Sequence, residues 1–254
     1  MRSALRWLPG IALLAALIAG LEWAVDAGLI RRALMPPPSA IGAALWDLLA
    51  SGEFAEPLFA TLRLVFAGFA IGSALGIAAG VAMGWWPAMY RLLEPLVELL
   101  RPIPKAALVP ALMLFLGIGE AMKITSVALA VFFPVLVNTL QGVRGVDSVM
   151  LDAGRTHGWG TTHVLRHLVL PASLPFILAG MRVALGLALV LAVLAEMLSG
   201  QGGLGFLILD MQRSFQVRLM YAWLVILAVV GLALNTLFLL AERRALHWQP
   251  ANRP

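Results

Sequence analysis

Six long apolar runs, separated by short charged or proline-rich segments, leave this chain few ways to fold. A bilayer offers no water to unpaired backbone groups, so an apolar run of about 20 residues has to satisfy its own hydrogen bonds as a helix. The runs lie at 7–25, 62–84, 92–118, 119–143, 174–199 and 219–242. They predict an all-α integral membrane protein of about six transmembrane helices, with one membrane domain taking up the whole length. Composition agrees, because 61% of the 254 residues are hydrophobic and only 12% are charged, too few to clothe a soluble fold.

Two of the runs are not simple. The third carries Glu94, Glu98, Arg101 and Lys105 around Pro102, Pro104 and Pro110, which predicts a broken or partly amphipathic helix. The first follows Arg2 and Arg6, and its segment Ile11 to Leu21 has the length of a signal peptide. Its apolar character continues through Trp23, Ala24 and Val25 with no clear small-residue cleavage site, so an uncleaved anchor is expected. Beyond it Pro36-Pro37-Pro38 stops any helix. Ser39 is expected to cap an amphipathic segment with Ile41, Ala44, Leu45, Leu48 and Leu49 on one side, lying along the outer surface. The chain thus divides into an N-terminal span with its outer segment (1–60), a transmembrane core that includes a loop at 147–171 (61–245) and a cytoplasmic tail (246–254).

The net charge of +5 does not point to nucleic acid, because the basic residues are scattered over short loops rather than gathered in one stripe. Membrane orientation accounts for them better. With both ends cytoplasmic, Arg2, Arg6, Arg91, Arg144, Arg155, Arg166, Arg243, Arg244 and Arg253 lie inside, against Arg31, Arg32, Arg63, Lys123, Arg213 and Arg218 outside. The absence of cysteine removes thiol redox chemistry, disulfides and thiolate metal sites.

Within the second run Gly68, Gly72, Gly76, Gly80 and Gly84 recur every four residues and form a groove along one helical face where another helix can approach closely. Static packing is the plainer expectation; a contact that moves during a transport cycle is the alternative. Between the fourth and fifth runs, residues 147–172 read as a helical hairpin. Asp147 or Ser148 caps its first helix, Gly158 and Gly160 supply the turn, Thr161 or Thr162 caps the second, and Pro171 ends it.

This hairpin resembles the EAA loop of ABC importer permeases: a Glu-Ala-Ala triplet, three residues, a glycine, nine residues, then Ile-x-Leu-Pro. Asp152, Ala153 and Gly154 stand at the triplet, Gly158 at the glycine, Leu168 at the isoleucine, and Leu170-Pro171 at the end. Aspartate for glutamate, glycine for the second alanine and leucine for isoleucine are the departures. The segments Arg101–Ala121, Lys123–Thr139, Leu174–Met197 and Gly200–Ile208 are similar to the nitrate/sulfonate/taurine branch of the family. The resemblance implies type I ABC importer permease architecture, with the loop as a coupling helix seated in a cleft of an ATPase subunit. Asp152 and Arg155 would make polar contacts at the rim of that cleft, and Ala153, Gly154 and Gly158 would allow close approach.

It also implies a second permease copy, ATP and Mg bound only by the ATPase partner, a periplasmic or lipid-anchored substrate-binding protein, and the bacterial inner membrane. The implied solute is an aliphatic sulfonate, taurine or nitrate, with a thiamine-precursor pyrimidine as the alternative. A secondary transporter working without an ATPase is a further alternative, although neither inverted repeats nor a selectivity filter is visible.

Other motifs carry less. Gly200, Gly202 and Gly205 spell GxGxxG, but after an apolar span rather than a strand, so no dinucleotide loop is expected. A P-loop is missing, because the two lysines, Lys105 and Lys123, follow Pro104 and Met122 rather than glycine. His163 and His167 sit four apart without an HExxH carboxylate; with His157 and His247 they fit a cytoplasmic interface better than a metal site. No GxSxG nucleophile elbow occurs. Charges inside spans are costly and mark Arg101, Lys105, Arg182 and Glu196 as a possible translocation pathway. The cations suit an anion; Glu196 is expected to pair with one of them or to lie near the outer mouth.

Overall fold

The computed structural model describes residues 8–248; Arg2, Arg6 and Arg253, and all of the tail beyond Trp248, lie outside the described residues. Every regular element among the described residues is helical. In order they are α1 (Leu8–Asp26), α2 (Pro38–Ser51), α3 (Ala55–Trp85), α4 (Pro87–Leu100), α5 (Val109–Leu116), α6 (Glu120–Arg144), α7 (Ser148–Thr156), α8 (Thr161–Val164), α9 (Leu170–Ser199), α10 (Gly203–Arg213) and α11 (Val217–Ala245). Among the described residues four helical segments are long and apolar enough to cross a membrane: Ala55–Trp85, Glu120–Arg144, Thr161–Ser199 and Val217–Ala245. The pair Pro87–Leu100 and Lys105–Leu116, bent by 85°, makes a fifth if it counts as one span. α1 forms where the first span is expected but is not among these segments, so among the described residues four or five spans stand where six are expected.

The core is a layer of α3, α6 and α9. α3 and α6 run parallel, and the glycine ladder of the one meets β-branched residues of the other four apart. A Cβ added at Gly68, Gly80 or Gly84 would stand 2.5–2.6 Å from the Cβ of Val127, Thr139 or Val143 respectively. At Gly72 and Gly76 it would meet the Ala128 and Phe132 carbonyl oxygens at 2.5 and 2.8 Å. No larger residue fits without separating the helices. α9 runs antiparallel on the other side of α6, and its Gly180 admits Asn138 and the Pro134 carbonyl. Val65, Val127, Val131, Val135, Ala184, Ala188 and Ala192 fill the interior between them.

Three local expectations need correction. Pro38, with its fixed φ, starts α2, so Ser39 falls inside the first turn instead of capping it. The cap comes from another helix: Glu22 of α1 accepts the Ser39 backbone N–H at 2.9 Å and its hydroxyl at 2.6 Å. α2 then buries Ala44 and Leu48 against α10 and α11, while Leu49 is exposed. The 60/61 division falls inside α3, which starts at Ala55. Finally, Pro171 does not end the hairpin's second helix. A π-turn at Leu165–Val169 sits just before it, and the helix continues through to Ser199. A proline ring clashes with the carbonyl four residues back, and a π-turn is one way to displace that carbonyl while keeping the helix axis.

Candidate functional site

The broken third span places two cations beside the middle of α6. α4 ends at Leu100, and the carbonyls left free there are taken by Lys105, whose ammonium donates to Leu100 O at 2.6 Å, Ile103 O at 2.9 Å and Arg101 O at 3.3 Å. The same ammonium lies 4.1 Å above the Phe133 ring. Lys105 therefore holds the break closed, and Arg101 is the cation with donors to spare, its one ion pair among the described residues being an exposed contact to Glu98 at 3.5 Å. Arg101, Lys105, Phe133, Pro134, Asn138 and Leu187 border an open cavity of about 340 Å³. Pro134 has no N–H to give the Ala130 carbonyl, and both residues line the cavity, so the regular helix bond is missing from its wall. Irregular backbone at membrane depth is tolerated where it lines a cavity, and half-helices meeting there are the geometry from which solute sites are made.

The hairpin lies at the end of the bundle where α3 and α6 finish and α9 begins. Asp147 caps α7 by accepting the Val149 N–H at 2.9 Å. Gly158 adopts φ +75° in the turn, a left-handed conformation that an L side chain resists, and no atom lies within 4 Å of where its Cβ would stand. Gly160, not Thr161 or Thr162, occupies the cap position of α8, and neither threonine makes a capping bond. Gly154 is buried against Trp159, Val164 and Leu168, and Val164 and Val169 pack on Val143 beneath. The hairpin is thus tied to the bundle by one face. The other exposes Val149, Met150 and Trp159, together with Asp152, Ala153 and Pro171; Leu170 is half-buried at the start of α9. Arg155 lies in α7, and its side chain is outside the described residues. His163 and His167 stack face to face at 4.0 Å, with Trp159 edge-on to His163 at 4.6 Å. Parallel stacked rings do not converge on one ion.

Glu196 and Arg182 are elsewhere. Glu196 is fully buried at the end opposite the hairpin, where its carboxylate accepts the Thr61 hydroxyl at 2.8 Å and the Gly205 N–H at 2.9 Å. Thr61 in turn accepts the Leu204 N–H at 2.9 Å. Two free N–H groups in the first turn of α10 are capped by side chains of α3 and α9. Lys123, 6% exposed, faces the same pocket and donates to the Gln201 carbonyl. A Cβ at Gly203 would meet the Glu196 carboxylate at 2.1 Å, and at Gly205 the Val193 carbonyl at 2.2 Å. The end of the GxGxxG segment is therefore a close-packed joint in which the Leu204 and Gly205 N–H groups are already occupied. Arg182, nearer the hairpin, forms an ion pair with Glu242 of α11. Of the four candidate pathway residues, the structure brings together only Arg101 and Lys105. Thr61, Lys123 and Glu242 complete these contacts; Lys123 and Glu242, charges near the ends of apolar runs, were the visible signals among them.

A bundle of long apolar helices, a cavity at a broken helix beside the middle of α6 and a hairpin presented at one end are the parts a membrane permease needs. The model of the binding-protein-dependent transport system inner membrane component matches residues 68–247, and the chain belongs to that family. It is 32% identical over 243 residues to a protein named for aliphatic sulfonates transport, the permease SsuC of Bacillus subtilis, covering 96% of this chain and 88% of that one. It is 31% identical over 212 residues to the taurine transport system permease protein TauC of Escherichia coli, covering 84% and 74%. Among solved structures, the inward-facing MetNI methionine ABC transporter shares the fold, with a TM-score of 0.64 at 18% identity over 73% of this chain and 92% of that one.

Proposed function

We propose that this chain is the permease of an ATP-driven importer of a small sulfonate anion in the bacterial inner membrane, working as a pair of copies. Each copy meets an ATPase subunit through the 147–171 hairpin, and a substrate-binding protein delivers solute to the opposite face. ATP and Mg belong to the ATPase partner, and hydrolysis there drives the cycle. The hairpin side faces the cytoplasm. The observation that carries this reading is the hairpin itself: a glycine turn and an exposed apolar face, fixed by Gly154, Val164 and Val169 to the helices that flank the cavity. A force on the hairpin reaches the cavity wall through α9, because the helix is continuous from Thr161 to Ser199. The solute class is supported by Arg101 at the cavity and by the relatives named for sulfonate and taurine transport.

The test is Gly158→Glu. Nothing lies within 4 Å of where the new Cβ would stand, so the main cost inside the chain is the left-handed backbone, about 1–2 kcal/mol. The variant is expected to reach the membrane at normal levels and to lose ATPase association and uptake of labelled taurine or alkanesulfonate. Normal uptake by a well-expressed variant would refute the docking role of the hairpin.

A further inference from the structure

At the end of the molecule away from the hairpin, one turn is built against its local preference. α10 closes with the Gln216 N–H on Met211 O at 2.9 Å and the Phe215 N–H on Gln212 O at 3.2 Å, the paired bonds of a Schellman motif. That motif puts its next residue in the left-handed region, where glycine is the relaxed choice. Here the residue is Phe215, with φ +56°, the sole non-glycine residue with positive φ among the described residues. A bulky residue in that region is a genuine outlier. Packing within the chain does not repay the conformation, since Phe215 is 88% exposed, the highest value for any large hydrophobic residue described.

The ring stands in cationic surroundings. Phe215, Gln216 and Arg218 share a shallow concavity of about 400 Å³ with Arg32 and Pro36 of the α1–α2 connection. Arg213 and Arg218 are exposed, and neither has a carboxylate partner among the described residues; Arg32 holds Asp26 at 2.9 Å. A lipid tail accepts an apolar side chain in any direction and gives no reason for a strained turn. A strained turn fixes the ring's direction, which a shaped socket requires. Uncompensated arginines around the ring call for carboxylates around that socket.

We infer that Phe215, flanked by Arg213 and Arg218 and backed by Arg32, is a docking knob for the substrate-binding protein, entering an apolar socket rimmed by acidic side chains. This rests on the importer reading given under Proposed function. The ring is the anchor, and the arginines steer encounter and fix register.

The decisive variant is Phe215→Gly, which relieves the turn as it removes the ring. The full transporter, permease with its ATPase, is placed in nanodiscs, and its cognate substrate-binding protein is titrated at low and physiological salt. Phe215→Gly is expected to melt no lower than the parent and to bind at least about tenfold more weakly, the size of an interface anchor. Arg213→Glu combined with Arg218→Glu is expected to slow association and flatten its salt dependence. Unchanged affinity in Phe215→Gly, with the parent still stimulated by the binding protein, overturns the knob and leaves the importer intact. A parent transporter that never responds to the binding protein overturns both. If Phe215→Gly leaves affinity unchanged but shifts the depth of the turn relative to lipid-borne quenchers, the ring is a membrane anchor and the docking role is wrong.

Discussion

Thr61→Val isolates the joint that holds α10 to the bundle. The side chains have nearly the same shape and the site is fully buried, so no cavity is created, and the change removes one hydroxyl that donates to Glu196 and accepts from the Leu204 N–H. Losing a hydrogen bond to a charged group costs about 1.5–3 kcal/mol, and leaving the Leu204 N–H buried without a partner costs about 1–3 kcal/mol more. Interhelical bonds within membranes average lower, about 0.6 kcal/mol, and the new methyl returns about 0.8 kcal/mol. The expected net loss is about 2–4 kcal/mol, which for a chain of this size lowers the melting temperature by roughly 5–12 °C. Thr61→Ser keeps the hydroxyl and serves as the control, with a loss of about 1 kcal/mol. Melting of the detergent-purified protein, read by tryptophan fluorescence, measures both. A Thr61→Val protein that melts within about 1 °C of the parent, a difference of about 0.5 kcal/mol or less, would mean that the joint does not carry the load assigned to it.

Two further variants sort the charged residues. Replacing both Arg182 and Glu242 by leucine removes the pair without stranding either charge. It is expected to preserve uptake and to recover most of the stability lost in Arg182→Leu alone, with a coupling of about 1 kcal/mol because Arg182 is partly exposed; a stable double variant that fails to transport would place Arg182 on the pathway instead. Arg101→Gln is expected to reduce uptake of labelled alkanesulfonate about ten- to a hundredfold through the loss of charge-assisted bonds, with folding unchanged; unaltered uptake would remove the mid-depth cavity from the pathway.

Much of this was legible in the sequence because membrane helices advertise themselves locally. Apolar length gave the long helices, and three prolines with four charges gave the break between α4 and α5. The four-residue glycine period gave a face of α3 open to close approach, and the structure supplied α6 as the partner. What stayed hidden was long-range. Glu196 reads as a lone intramembrane charge until Thr61, 135 positions away, and the start of α10 are folded onto it. Lys105 reads as a pathway cation until the carbonyls freed by the break are seen to claim all its donors. Pro171 reads as a stop because proline usually is one, and the π-turn that absorbs it has no sequence signature of its own. Phe215 gave no signal, because a positive φ at a phenylalanine is a property of the turn and not of its composition.

The glycine ladder decides where motion in this bundle can occur. Between Gly68 and Gly84 the added-Cβ distances stay at or below 2.8 Å at every fourth residue, so α3 cannot slide along α6 by a small step without a glycine riding up onto a valine or threonine. The next register that sets glycines against these residues again is four residues away, about 6 Å, with the Thr61 bond to Glu196 broken in passing. α3, α6 and the hairpin-linked α9 therefore move as one body, and displacement is confined to the looser partners: the bent α4–α5 pair and α11, of which only 11% is buried across its apolar window. Spin labels on the exposed positions Phe59 of α3 and Ala121 of α6 report this directly. Their separation is expected to stay within about 2 Å between nucleotide-free and ATP-trapped transporter, and a change approaching one helical turn, about 5 Å, would show that the ladder is a ratchet rather than a weld.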